Sequence, residues 1–204
     1  MIGYDRGVGR RVKPVDIAAL FRRASSREDQ GDLAGALEDY DEVVLRAPTA
    51  SRAYVNRGCV RRHLGDPVGA LADFTKAIEL DPHDAIAFHN RAHTRFDEGD
   101  AHGALADFDA AIRLAPGYLK AYNNRGCARL ETGDLDGAIT DFSFAIEHGP
   151  DAAAMPYFNR GRARLARADR AGARADFAAA LACAPSEWIM RHELQQRLRD
   201  LGDA

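Results

Sequence analysis

Lysine is almost missing from this chain. It occurs only at Lys13, Lys76 and Lys120, so arginine carries nearly all of the positive charge. That habit fits a GC-rich genome and has no functional weight. The formal net charge is −3, whereas a nucleic-acid-binding protein is usually distinctly basic. No apolar run reaches the length of about 18 residues that a membrane span needs. The opening MIGYDRGVGRRVKP lacks the apolar stretch of a secretory signal. Cysteine is scarce, odd in number and widely spaced, at Cys59, Cys127 and Cys183. A disulfide framework is therefore not expected, and a reducing cytoplasm is the expected setting. A phosphate-binding glycine loop, a nucleophile elbow and paired acids outside the repeating pattern are missing too. Catalysis and a bound cofactor are accordingly not expected.

What the chain has is repetition, which is sought before any motif. AYVNRGCVRRHLGDPVGALADFTKAIELDP (53–82), AFHNRAHTRFDEGDAHGALADFDAAIRLAP (87–116) and AYNNRGCARLETGDLDGAITDFSFAIEHGP (121–150) start 34 residues apart. PYFNRGRARLARADRAGARADFAAALACAP (156–185) follows one residue late, and ALFRRASSREDQGDLAGALEDYDEVVLRAP (19–48) is a degenerate first copy. Numbering each copy 1–34 puts Pro48, Pro82, Pro116, Pro150 and Pro185 at position 32. Position 8 is small: Ala24, Gly58, Ala92, Gly126 and Gly161. Position 20 is Ala36, Ala70, Ala104, Ala138 and Ala173, and position 24 is Tyr40, Phe74, Phe108, Phe142 and Phe177.

This pattern resembles the tetratricopeptide repeat family, over about residues 17–187. The resemblance implies an all-α fold: a right-handed superhelical α-solenoid of antiparallel helix pairs. Helix A would span positions 1–14 and helix B positions 17–30. Small residues at 8 and 20 let the two approach, and rings at 4 (Tyr54, Phe88, Tyr122, Tyr157) and 24 fill the space beside them. Gly31, Gly65, Gly99 and Gly133 suit a left-handed C-cap, and Ala168 in the fifth copy departs from that and would distort its turn. One helix pair cannot bury its apolar face alone, so stacked copies share a core and the ends need caps. The expected organisation is an N-terminal arm (1–14), a solenoid (15–187; repeats 17–50, 51–84, 85–118, 119–152 and 154–187), and a C-terminal capping helix and tail (188–204). Ser186 is the expected N-cap of that last helix, with Met190, Leu194, Leu198 and Leu201 on its apolar stripe.

The repeats also carry charge where the family more often carries Leu or an aromatic. Position 7 is Arg23, Arg57, Arg91, Arg125 and Arg160; position 11 is Arg27, Arg61, Arg95, Arg129 and Arg164. Position 23 is Asp39, Asp73, Asp107, Asp141 and Asp176. Positions 4, 7, 8 and 11 share one face of helix A, so these arginines point inward. Since buried charges are normally paired, a structural Arg–Asp ladder is expected, with a phosphate- or acid-binding strip as the alternative.

The opposite face, positions 2, 5, 6, 9 and 13, lines the concave surface in the family. Position 6 is Asn56, Asn90, Asn124 and Asn159. That row resembles the asparagine ladder of O-linked N-acetylglucosamine transferase, where amides grip an extended peptide's backbone. An amide both donates and accepts, so it can pair with any peptide backbone; bonding to neighbouring groups of its own fold is the competing reading. Arg52, Val55, His89, His93, Lys120, Asn123, Phe158 and Arg162 complete the expected peptide-binding groove. The carboxylate clamp of chaperone-binding relatives is absent, because Asn fills its cationic position 6. His89 and His93 stand four apart like zinc ligands, and Cys59 and Cys127 share position 9 with His93. Helices 8–10 Å apart hold such side chains too far from one ion for bonds of about 2.0–2.3 Å, so no metal is expected. The expected function is a non-catalytic scaffold binding an extended peptide or partner protein, with no nucleic-acid or membrane partner. Self-assembly into an oligomer is the alternative, and a metal- or small-ligand-binding protein the lesser one.

Overall fold

A computed structural model describes residues 16–149, 154–185 and 187–202. The expected arm, Pro150 and the proposed cap Ser186 lie outside the described residues. The described residues form eleven helices, paired as an all-α solenoid: α1 (Ile17–Asp29), α2 (Leu33–Arg46), α3 (Ser51–His63), α4 (Pro67–Leu80), α5 (Ala85–Asp97), α6 (Ala101–Leu114), α7 (Leu119–Glu131), α8 (Leu135–His148), α9 (Ala154–Ala166), α10 (Arg170–Cys183) and α11 (Arg191–Gly202). Two compact units are distinguished, one ending at Pro82 and one starting at His83. In the first, α1 packs on α2, α2 on α3 and α3 on α4. In the second, each of α5 to α11 packs on the next, and the A helices α5, α7 and α9 also touch in sequence.

Each turn from helix A to helix B is built the same way. Gly31, Gly65, Gly99 and Gly133 have φ between 78° and 85°, which reverses the chain at no steric cost. The following Asp amide then bonds back five residues, as in Asp66 N–H to Arg61 O at 2.9 Å, closing a Schellman motif. The same Asp caps helix B: Asp32, Asp66, Asp100, Asp134 and Asp169 each accept from the glycine amide three residues on, at 2.8–3.0 Å. In the fifth repeat the turn is not distorted. Ala168 takes the left-handed conformation at φ 64°, and Asp169 N–H still reaches Arg164 O at 2.9 Å. The surrounding bonds hold an alanine where its Cβ is unfavourable.

The core is a row of rings at position 24, each fully buried: Tyr40 and Phe74 in the first unit, Phe108, Phe142 and Phe177 in the second. Position 8 of the facing helix must be small. A Cβ on Gly126 would sit 2.6 Å from the Phe142 ring, and one on Gly58 would sit 2.7 Å from that of Phe74.

The last helix starts later than its apolar pattern implied. The chain turns through residues 187–190, and α11 begins at Arg191. Leu194 is fully buried against Phe158 and Phe177, with Trp188, Met190, Leu198 and Leu201 packed around it. Arg191 explains the delay. Its Nη1 donates to the carbonyls of Leu181, Ala184 and Pro185 at 3.3, 3.0 and 3.4 Å, so it caps the end of α10 and holds residues 187–190 as a turn.

Candidate functional site

The inward arginines are consumed by the fold. Asp107 accepts from Arg91 Nη2 at 2.7 Å, Arg91 Nε at 2.8 Å and Arg95 Nη1 at 2.7 Å. Asp141 is held in the same way by Arg125 and Arg129, and Asp176 by Arg160 and Arg164. In the first unit, Asp73 lies between Arg57 and Arg61, and Asp39 between Arg23 and Arg27. All five carboxylates are nearly inaccessible to solvent. The clamp lies within a repeat, with the two arginines on helix A and the carboxylate on helix B. The position-11 guanidinium also donates to the position-19 carbonyl, as in Arg129 to Gly137 O at 3.2 Å. The position-7 guanidinium rests over the ring at position 4, as in Arg125 over Tyr122 at 5.4 Å, a favourable cation–π contact.

Position 7 also ties one repeat to the next. Arg57 takes a second carboxylate from Asp41 on α2 at 2.8 Å, and Arg125 takes Asp109 on α6 at 2.7 Å. Arg160 uses the Ser143 hydroxyl on α8 at 3.0 Å. Burial would lower the Arg57 and Arg125 pKa values, but these carboxylates hold both above the ordinary arginine value. Hydrogen bonding from Arg23 depresses the Asp39 carboxyl against the opposing effect of burial. Apart from Arg23, whose side chain is 58% exposed, the position-7 arginines present little surface to an outside anion.

The outward residues do not form a uniform face. Position 5 is largely core: Val55, His89 and Phe158 are buried. It lies one turn before positions 8 and 9, on the flank that meets the neighbouring A helix, as where α7 meets α9. Phe158 packs against Phe177 and edge-on to Trp188. The His89 ring lies 4.8 Å from that of Tyr118 and 5.8 Å from that of Phe108.

The asparagines differ among themselves. Asn159 is 2% exposed and donates to Asn123 Oδ1 at 3.2 Å and Cys127 Sγ at 3.4 Å. It ties α9 to α7 and cannot reach a peptide. Asn56 donates to the Tyr40 hydroxyl at 3.0 Å. Asn124 lies 3.1 Å from His89 Nε2 and accepts from Asn123 at 3.2 Å. Asn90 is half-buried. Asn56, Asn124 and Asn159 thus bond neighbouring helices of their own unit, as the competing reading of the row had it.

Other expected groove residues remain outward. Arg52 and Arg162 are exposed and lie over the rings of Phe21 and Phe158. His93 is bound to Asp97 at 2.9 Å. Lys120 is exposed on α7. Among the described residues, no group of three or more His, Cys, Asp and Glu side chains is placed to hold a metal. Burial pushes the Cys59 and Cys127 thiols up to about 11, so they stay protonated and unreactive near neutrality. No described helix is long and apolar enough to cross a membrane.

One concave feature in the second unit unites several of these groups. A hollow of about 320 Å³ is lined by Leu119, Lys120, Asn123, Asn124, Ala145, Gly149, Met155 and Pro156. α7 supplies the polar edge, α8 and the residue after it the floor, and α9 the apolar wall. Leu119, Ala145 and Gly149 escaped the sequence reading because they lie at positions 1, 27 and 31, where small or apolar residues signal only packing. Gly149 was the available signal: a Cβ there would meet the Leu119 side chain at 2.7 Å.

The tetratricopeptide repeat family model matches residues 21–85, 89–153 and 123–187. No curated protein matches the sequence. Among solved structures, residues 41 to the end of MamA from Desulfovibrio magneticus RS-1 superpose with a TM-score of 0.76 at 21% identity, covering 85% of this chain and 98% of that one. YrrB, described as a TPR protein with an unusual peptide-binding site, superposes with a TM-score of 0.71 at 21% identity, covering 88% and 92%. PilF of Pseudomonas aeruginosa gives a TM-score of 0.75 at 13% identity, covering 91% and 88%. At these identities the likeness is one of fold.

Proposed function

Since the chain belongs to the tetratricopeptide repeat family, we propose that it is a non-catalytic interaction scaffold that holds an extended segment of a partner protein. The hollow between α7, α8 and α9 carries this reading. It takes one apolar side chain against Leu119, Met155 and Pro156, and Lys120 at its edge favours a carboxylate beside that side chain. Asn123 and Asn124 line the same edge; their remaining hydrogen-bonding capacity can meet a peptide backbone. Ligand sites of this kind are apolar with a few placed polar groups. The description of YrrB as having a peptide-binding site agrees with this use of the fold. Of the residues expected along the groove, Lys120, Asn123 and Asn124 are the proposed contacts, and Asn159, Val55, His89 and Phe158 are packing residues.

The test is capture of partners from native lysate by the full chain and by two variants. Met155→Asp places a charge in the apolar wall, and Lys120→Glu reverses the edge. Both residues are exposed, so both variants should keep their helical content. A partner held by the hollow is lost with Met155→Asp and weakened by Lys120→Glu. A partner captured equally by all three proteins sinks the reading.

A further inference from the structure

We propose that α1 is a self-association surface, on which a second copy of this chain packs its own α1 antiparallel. This does not depend on the peptide reading and concerns the first unit alone.

The position-7 arginines are not equivalent. Arg57, Arg125 and Arg160 each complete their guanidinium with a group from the preceding helix B, and their side chains are 13–15% exposed. Arg23 keeps its bidentate bond to Asp39 but is 58% exposed. Among the described residues no helix precedes α1, and none of them gives the outer edge of this guanidinium the partner that its counterparts have.

Beside it is a hollow lined by Asp16, Ala19, Leu20 and Arg23. These are i, i+3, i+4 and i+7, one stripe of the helix. Read along α1 the stripe runs acid, small, apolar, base. Read backwards on a second copy, it is its own complement. A two-fold axis at the midpoint between 19 and 20 sets each Asp16 against the partner's Arg23, in the isologous arrangement that closes a dimer. Seven residues of helix separate the two charges by about 10 Å, and the antiparallel register brings both pairs together at once. Ala19 lets the helices approach closely, and each Leu20 enters the hollow of the other copy. Asp16 has an oxygen to offer: Oδ1 caps Ala19 N–H at 3.0 Å, while Oδ2 lies 3.9 Å from exposed Arg22.

Charge distinguishes this occupant from the chain's own first residues. That segment carries Arg6, Arg10, Arg11 and Lys13 against Asp5, a surplus of the same sign as Arg23. A second copy brings a carboxylate to that place.

Sedimentation velocity of the full chain, loaded from roughly 10 μM to 1 mM to suit a small interface, gives the readout. The wild type should shift from monomer to dimer across this range, and less so as salt rises. Asp16→Asn keeps an N-cap but removes both reciprocal pairs, and should weaken the dimer about tenfold. Ala19→Glu sets two carboxylates at the axis and should abolish dimerisation with the circular dichroism spectrum unchanged. In a Cys183→Ser background, Ala19→Cys should form a disulfide-linked dimer on oxidation, and Ala18→Cys, on another face, should not. A wild type that stays monomeric throughout, or a dimer that Ala19→Glu leaves intact, overturns the proposal.

Discussion

Asp107→Asn isolates the worth of one arginine clamp. The carboxylate is nearly inaccessible and accepts three charge-assisted bonds, two from Arg91 and one from Arg95. The amide keeps the shape, removes the charge and turns one acceptor into a donor facing a cation. Two guanidinium groups are then left close together without their shared counter-charge. Removing one partner of a buried ion pair costs about 3–5 kcal/mol. The Arg91 and Arg95 side chains are 14% and 31% exposed, so part of the loss is recovered by turning toward water, and about 3 kcal/mol is expected. The control is Asp100→Asn. Asp100 caps α6 through Gly103 N–H at 2.8 Å, and asparagine caps as well as aspartate, so its cost should stay within about 0.5 kcal/mol. For a urea slope of about 2 kcal/mol per molar, Asp107→Asn should lower the midpoint by about 1.5 M while the control hardly moves it. A triple variant, Asp107→Leu with Arg91→Leu and Arg95→Met, should recover much of the loss, because an apolar cluster can replace a buried ionic one. Equal midpoints for Asp107→Asn and Asp100→Asn would refute the reasoning and show the clamp to be effectively solvated.

Ala168→Gly should raise stability by about 1 kcal/mol, since it removes the left-handed strain of a non-glycine residue; an unchanged melting curve would contradict the strain. Asn159→Ala should cost about 1 kcal/mol, because it removes a buried amide that bridges half-buried Asn123 and Cys127; chemical denaturation measures it, and no loss would return Asn159 to the outward face. The thiols should label in a fixed order: iodoacetamide modifies exposed Cys183 first, and Cys59 and Cys127 resist until the pH nears about 11. Those two raised values make the folded state fully stable below the ordinary thiol range and less so as pH rises through about 11. At the acid end the sign reverses. The depressed Asp39 carboxyl contributes stability above its ordinary value of about 3.9, and loses it as pH falls through the folded value. Asp39→Asn should therefore flatten the acid limb of the stability curve relative to wild type.

The ten solenoid helices and four of their glycine turns were legible in the order of residues, and their pairing in the family resemblance, whereas the undistorted turn at Ala168 and the late start of α11 were not. What was legible depends on local chemistry that repeats: glycine with an aspartate cap at each of those four turns, a small residue opposite a ring, and proline after helix B. Helix limits read from the repeat phase agree with α3 and α4 to within a residue. Even the inward direction of Arg57 and Arg61 follows from 100° per residue. Tertiary structure alone decided what those side chains meet. No spacing says that Asp73 answers the arginines of its own repeat while Asp41 answers Arg57 from the repeat before. Nor does the identity of an amide say whether it faces solvent. Asn56 and Asn159 share a repeat position, yet one is half-buried against Tyr40 and the other is buried between Asn123 and Cys127. A repeat specifies its own two helices through contacts 12 to 16 residues apart. The environment of its outward face is set instead by whichever residues the next repeat brings against it, and these differ from copy to copy.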